Sequence, residues 1–253
     1  MGAPSHRIRC YDVSFVQLVV VFFRFLGHLA CCAKEVITRK KSISWLNLLN
    51  VIFRSGVRLV IPVVVISSLL GVSLVLNIYS SLSPYNLENK AFIIAQNIFF
   101  YDGLPFIINI VLSIQIALDL VSERRTKLQT TAQQTLVVDI IPLLIGINIC
   151  SLSLYIYSTI SVFFSTFLCF RYFLKADTHE YLLQLSTTIT SYSILFSILK
   201  TFLFCTFVSV IAGFYYYQVA EGYLSIRKAV SRIMTRSFAA LVVGTVYFKF
   251  LDY

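Results

Sequence analysis

Ser122-Glu123-Arg124-Arg125-Thr126-Lys127 opens a polar stretch that runs to Thr135 between two long apolar segments. Glu123, Arg124, Arg125 and Lys127, followed by Gln133 and Gln134, are groups with which a membrane-embedded chain could dock a soluble partner. In such a contact, rim charges steer association and buried pairs fix register. The same composition fits a basic loop that touches only water and lipid headgroups. Asp119 and Asp139 flank the stretch on either side. An acid at the membrane edge is costly unless paired, which makes each a functional candidate. Asp119 and Glu123 are one helical turn apart and share a face; with Arg124 and Arg125 in reach, both acids also fit a structural role as buried partners.

A second group lies at Asp102-Gly103-Leu104-Pro105. Pro105 lacks a donor for a helical hydrogen bond and Gly103 relaxes the backbone. A broken helix exposes backbone groups where a cavity needs them, so this segment reads either as an outer-leaflet gate or as a simple helix start. Lys200 stands alone in apolar surroundings, suited to attracting a lipid phosphate or to anchoring at the interface. His6, His28 and His179 have no serine or aspartate companion at a catalytic spacing. The six cysteines form no CxxC pair and no zinc spacing with histidine. With no phosphate-binding glycine loop of the Walker type either, the chain reads as a non-enzyme with no metal and no cofactor of its own.

The elements that position these groups follow from composition. Apolar residues make up 58% of the 253 positions, charged residues 13%, and the mean hydropathy is +0.84. Several windows exceed the roughly 18 apolar residues that cross the hydrocarbon core as a helix. The chain is therefore an all-α integral membrane protein. Its net charge of +10 is spread along the flanks of the apolar segments and not gathered on a basic module with interleaved aromatics, which argues against nucleic acid as a partner.

Residues 1–44 are basic with an apolar run from Val13 to Phe23, then Arg24, His28 and Lys34. This reads as an interfacial amphipathic helix with its cations toward the headgroups; a true first span over residues 13–33, with snorkelling ends, is the competing reading. Residues 45–253 form the transmembrane part. Its expected spans are Leu59 to Tyr79, Leu104 to Val121 preceded by a kink or pre-helix, one beginning near Pro142, Thr201 to Tyr217 with Lys200 just before it, and a short final span from Ser237 to Phe250. Segments 122–136 and 220–236 and the loop before Leu59 hold most of the Lys and Arg, which puts them in the cytoplasm.

In this order and spacing the chain resembles the MlaE/YrbE permease family, the membrane subunits of ABC transporters that move lipids with MCE-domain proteins. Gly71 and Asn77 hold the spacing of a Gly and Gln in that family's first span, and Asp102-Gly103-Leu104-Pro105 stands in for Glu-Leu-Gly-Pro at its second. Glu123 keeps the family interval after Pro105. Gln133-Gln134-Thr135-Leu136, Asp139 and Pro142 follow the coupling element loosely, Lys200-Thr201-Phe202 is similar to its Lys-Ser-Phe, and Ala220-Glu221-Gly222 follows the fourth span. Gln115 replaces the second-span arginine and Thr131 the coupling glutamate.

The resemblance implies an interfacial helix plus five spans. It assigns ATPase coupling to Glu123, Arg124, Arg125, Lys127, Gln133 and Gln134, and a lipid pathway or gate to Gly71, Asn77, Asp102, Gly103, Pro105 and Lys200. It also implies an ABC ATPase partner carrying the ATP and Mg, an MCE-domain lipid carrier, a second permease chain, identical or different, and a phospholipid substrate. The setting it implies is a bacterial inner membrane or an organelle's inner envelope. A non-transporting scaffold subunit is the alternative.

Overall fold

The computed structural model describes residues 15–38, 45–85, 88–126, 140–173, 190–251 and a few positions between 179 and 186. The chain is built from α1 (Phe15–Ile37), α2 (Trp45–Val51), α3 (Arg58–Leu82), α4 (Glu88–Ile98), α5 (Leu104–Thr126), α6 (Ile141–Tyr172), α7 (Ser191–Ala220) and α8 (Ile226–Leu251). No strand occurs among the described residues. Five helical stretches are long and apolar enough to cross a membrane: 45–85, 93–121, 141–172, 192–220 and 226–250. The helix α1 is 23 residues long and mostly apolar, broken by Arg24, His28 and the Lys34–Glu35 pair near its end, a length that fits either a helix lying at the interface or a further span.

The helix α5 is the centre of the bundle. Leu104, Ile108, Leu112, Ile116 and Leu120 recur every fourth residue and are all buried, the stripe that a helix presents to a core at this spacing. Packed against α5 are α7 and α8, while α3 lies mainly on α6. Small residues let those two helices approach: a Cβ on Gly71 would stand 3.1 Å from Val162, and one turn away Ser68 hydrogen-bonds Ser161. Small residues and hydroxyl pairs are what hold helices together in lipid, where apolar side chains gain nothing by leaving the tails.

Two π-helical turns interrupt the ladder, Ile52–Val57 ahead of α3 and Phe99–Gly103 ahead of α5. Each precedes a proline, Pro62 inside α3 and Pro105 in the first turn of α5. A widened turn gives slack to a helix that must pass a residue with no N–H. At the second turn the Leu104 amide bonds to the Phe99 carbonyl, five residues back. That leaves the Phe100 carbonyl to accept the Ser197 hydroxyl from α7 at 2.7 Å. At the first turn the Cys150 thiol of α6 reaches the Ile52 carbonyl at 3.6 Å. Inside a bilayer a freed carbonyl needs such a neighbour, because no water substitutes for it.

Two expected boundaries are corrected. Lys200 does not precede a span starting at Thr201; it lies inside α7, which begins at Ser191. The buried stripe Ser197, Thr201, Phe204, Cys205, Val208, Ala212 carries the helix past the charge, which has its own partner. The last helix likewise starts at Ile226 and not at Ser237. Through its basic part Ala229, Ile233, Ser237 and Leu241 stay buried at four-residue spacing, so the cations ride the other side of one continuous helix. The kink expected before Leu104 is present as α4 and the second π turn.

Candidate functional site

The residues with chemical potential fall into two clusters at opposite ends of α5. At its start Asp102 closes the π turn. Lys200 of α7 donates directly to its Oδ1, and Lys249, two residues from the end of α8, stands 2.9 Å from Oδ2. Lys200 is 2% exposed, Lys249 57%. Beyond the carboxylate, the Lys200 ammonium lies 5.5 Å and 5.8 Å from the ring centres of Phe248 and Phe204, a placement that stabilises a desolvated cation. Three helices are thus tied through one carboxylate. With two lysines to one acid, the cluster keeps a net positive charge.

Beside this cluster runs an apolar groove of about 340 Å3, between α3, α5 and α8. Leu74, Phe106, Val242 and Val246 supply its walls, and Asp102 and Gly103 stand at its edge. Gly103 is needed where it is, since a Cβ there would meet the Phe99 ring at 3.1 Å. Pro105 is buried, and its carbonyl accepts the Asn109 amide at 2.7 Å. A cationic rim over an apolar slot can hold an amphiphile with a negative head. Nearby, a second and much smaller cavity of about 20 Å3 is lined by Gln96, Tyr101, Tyr155 and Thr159. Neither polar atom of the buried Gln96 amide has a partner among the described residues, nor does the Thr159 hydroxyl that lines the same, otherwise mostly apolar space.

At the other end of α5, Asp119 is buried. Its Oδ1 accepts the Gln115 amide at 3.1 Å and faces Arg54 at 3.8 Å; its Oδ2 accepts the Ser55 hydroxyl at 3.5 Å. Arg54 and Ser55 belong to the first π turn, so this carboxylate joins the entry of α3 to the last turns of α5. Gln115 and Asp119 act here as a pair one turn apart.

The structure therefore brings together Asp102, Gly103 and Lys200, with Pro105 in the next turn and Gly71 on the other side of the Phe99 ring that Gly103 meets; Asn77 hydrogen-bonds none of them. Gly71 is buried in the α3–α6 seam. Asn77 is exposed and donates back to the Ser73 carbonyl at 2.8 Å. Glu123, Arg124 and Arg125 lie on the last turn of α5, whereas Lys127, Gln133, Gln134 and Asp139 lie outside the described residues. Three partners of these candidates escaped the sequence reading: Lys249, Arg54 and Ser55. Lys249 carried a signal, being the one cation in the apolar run from Ser237 to Leu251; the pairing of Arg54 and Ser55 with Asp119 spans more than sixty positions and leaves no local trace.

Five membrane-long apolar stretches among the described residues, the central one holding most of α5, define a multi-pass membrane protein. The model of a known family, Permease MlaE, matches residues 48–251, and the chain belongs to that family. No curated protein matches it.

Proposed function

We propose that the chain is the transmembrane subunit of an ABC-type lipid transporter. A separate ATPase, which carries the ATP and Mg, engages residues 122–136; an MCE-domain protein exchanges phospholipid at the opposite face; and a second permease chain completes the channel of transfer. Membership of the permease family over residues 48–251 carries this reading. It is supported by the position of the polar stretch, which continues directly from the central helix α5. A force applied there acts on the element that contacts α6, α7 and α8. Transport follows if nucleotide biases two packings of the assembly that present the lipid slot differently. The bacterial inner membrane, or an organelle's inner envelope, is the setting that fits such an assembly.

A second reading, a scaffold subunit that moves nothing, draws on Gln115 in place of the family arginine and Thr131 in place of the coupling glutamate. Purification from the native membrane in mild detergent, with mass spectrometry of what remains bound, separates the two. Co-purification of an ATPase, an MCE-domain protein and phospholipid is the expected result. Their absence, with other membrane proteins in their place, would favour the scaffold.

A further inference from the structure

The end of α8 nearest the turn to α7 carries a feature that transport through the Asp102 cluster leaves unexplained. Lys228, Arg232 and Arg236 recur at every fourth residue and are exposed, so they form one stripe along the helix. Among the described residues no carboxylate lies within ion-pair distance of any of them. Arg236 sits ten residues into the helix, about 15 Å along its axis, where the basic part of α8 gives way to its apolar run. Cations at the edge of an apolar span attract the anionic groups of the headgroup layer.

Arg236 also borders a groove. An apolar cleft of about 320 Å3 separates α1 from α7, walled by Val19, Phe22, Phe207, Val210 and Phe214. The Arg236 guanidinium lies at its edge, 5.7 Å from the ring centre of Tyr215. The Tyr215 hydroxyl is buried with no partner among the described residues. A planar donor, a second unpaired polar group and an apolar slot beside them match a phosphate with an attached acyl chain. Arginine is suited to such a phosphate because its fork donates two parallel hydrogen bonds.

We propose that this groove holds an anionic phospholipid, its phosphate on Arg236 and Arg232 and one acyl chain between α1 and α7. The uncompensated stripe selects the anionic class, since a zwitterionic lipid brings its own cation and leaves the stripe unneutralised. The site lies apart from the Asp102 groove and does not rest on the transport reading.

The test is reconstitution of the full chain into vesicles of equimolar phosphatidylglycerol and phosphatidylcholine, re-extraction in mild detergent, and quantification of retained lipid by mass spectrometry. The wild type retains phosphatidylglycerol in preference. Arg236→Gln lowers that retention about fivefold, the loss of one cation's attraction for an anionic headgroup, and Arg236→Lys lowers it less. Val210→Phe, which fills the groove and keeps every charge, lowers retention as well. Arg227→Gln, on the opposite side of the same helix, leaves it unchanged. Equal retention of both lipids by the wild type would overturn the proposal. So would an equal fall for Arg227→Gln, which would mean diffuse surface charge, or a dimer that dissociates on Arg236→Gln with no lipid lost, which would assign this face to a second copy.

Discussion

Asp102 and Asp119 stand on one helical path seventeen positions apart, yet they are held in different ways. Asp102 meets two ammonium groups from two other helices, one of them almost fully buried. Asp119 is held by an amide of its own helix, a hydroxyl at 3.5 Å and a half-exposed arginine at 3.8 Å. A direct ion pair in low dielectric fixes geometry, and losing one member leaves a charge stranded. Neutral donors and a distant arginine satisfy a carboxylate without locking it. The close ion pairs thus stand at the Asp102 end of α5, and the longer arginine contact at the end from which the polar stretch continues. A permease driven from that polar end would use such an arrangement to move that end of α5 against the other.

Substitutions that break this contrast should rank by how much charge they strand. Lys200→Ala removes the buried cation and is expected to cost about 3 kcal/mol, read as a lowered midpoint of thermal unfolding in detergent. The double variant Asp102→Asn with Lys200→Met should recover most of that loss, because no buried charge is left unpaired and Lys249, which loses the carboxylate, is 57% exposed. Gly71→Leu forces side-chain atoms into Val162 and should cost about 2 kcal/mol as overpacking, with partial rescue by Val162→Ala. Asp119→Asn keeps the shape but turns one of its two acceptor oxygens into a donor, so either the Gln115 or the Ser55 contact must reverse direction and about 1 kcal/mol is expected; a fall equal to that of Lys200→Ala would erase the distinction between the two ends. Lys249→Gln is the smallest, below about 1 kcal/mol, since an exposed partner in a pair contributes little.

Much of the fold was legible because lipid leaves few options for a backbone. Long apolar runs had to be helices, and Gly103 with Pro105 had to disturb the helix at that point. The helix boundaries in α7 and α8 were misread for one physical reason. Lys200 and the stripe from Lys228 to Arg236 were treated as breaks in apolarity, whereas the buried faces of both helices run on beside them. Asp102 and Lys200 were each visible as candidates, but their pairing was not, since it depends on how α7 packs against the π turn. The Asp119 cluster was half visible: Gln115 stood out as a replacement, while Arg54 and Ser55 come from a helix whose register against α5 no local pattern encodes.

The central claim, that force enters through residues 122–136 and acts on α5, is tested most directly by ATP-driven lipid transfer in proteoliposomes containing the chain and its co-purified partners. Wild type is compared there with the double variant Arg124→Glu, Arg125→Glu. The account predicts that lipid transfer and lipid-stimulated ATP hydrolysis are both lost, while the variant keeps its fold and its unfolding midpoint. Transfer at the wild-type rate by a charge-reversed protein that still carries its ATPase would contradict it.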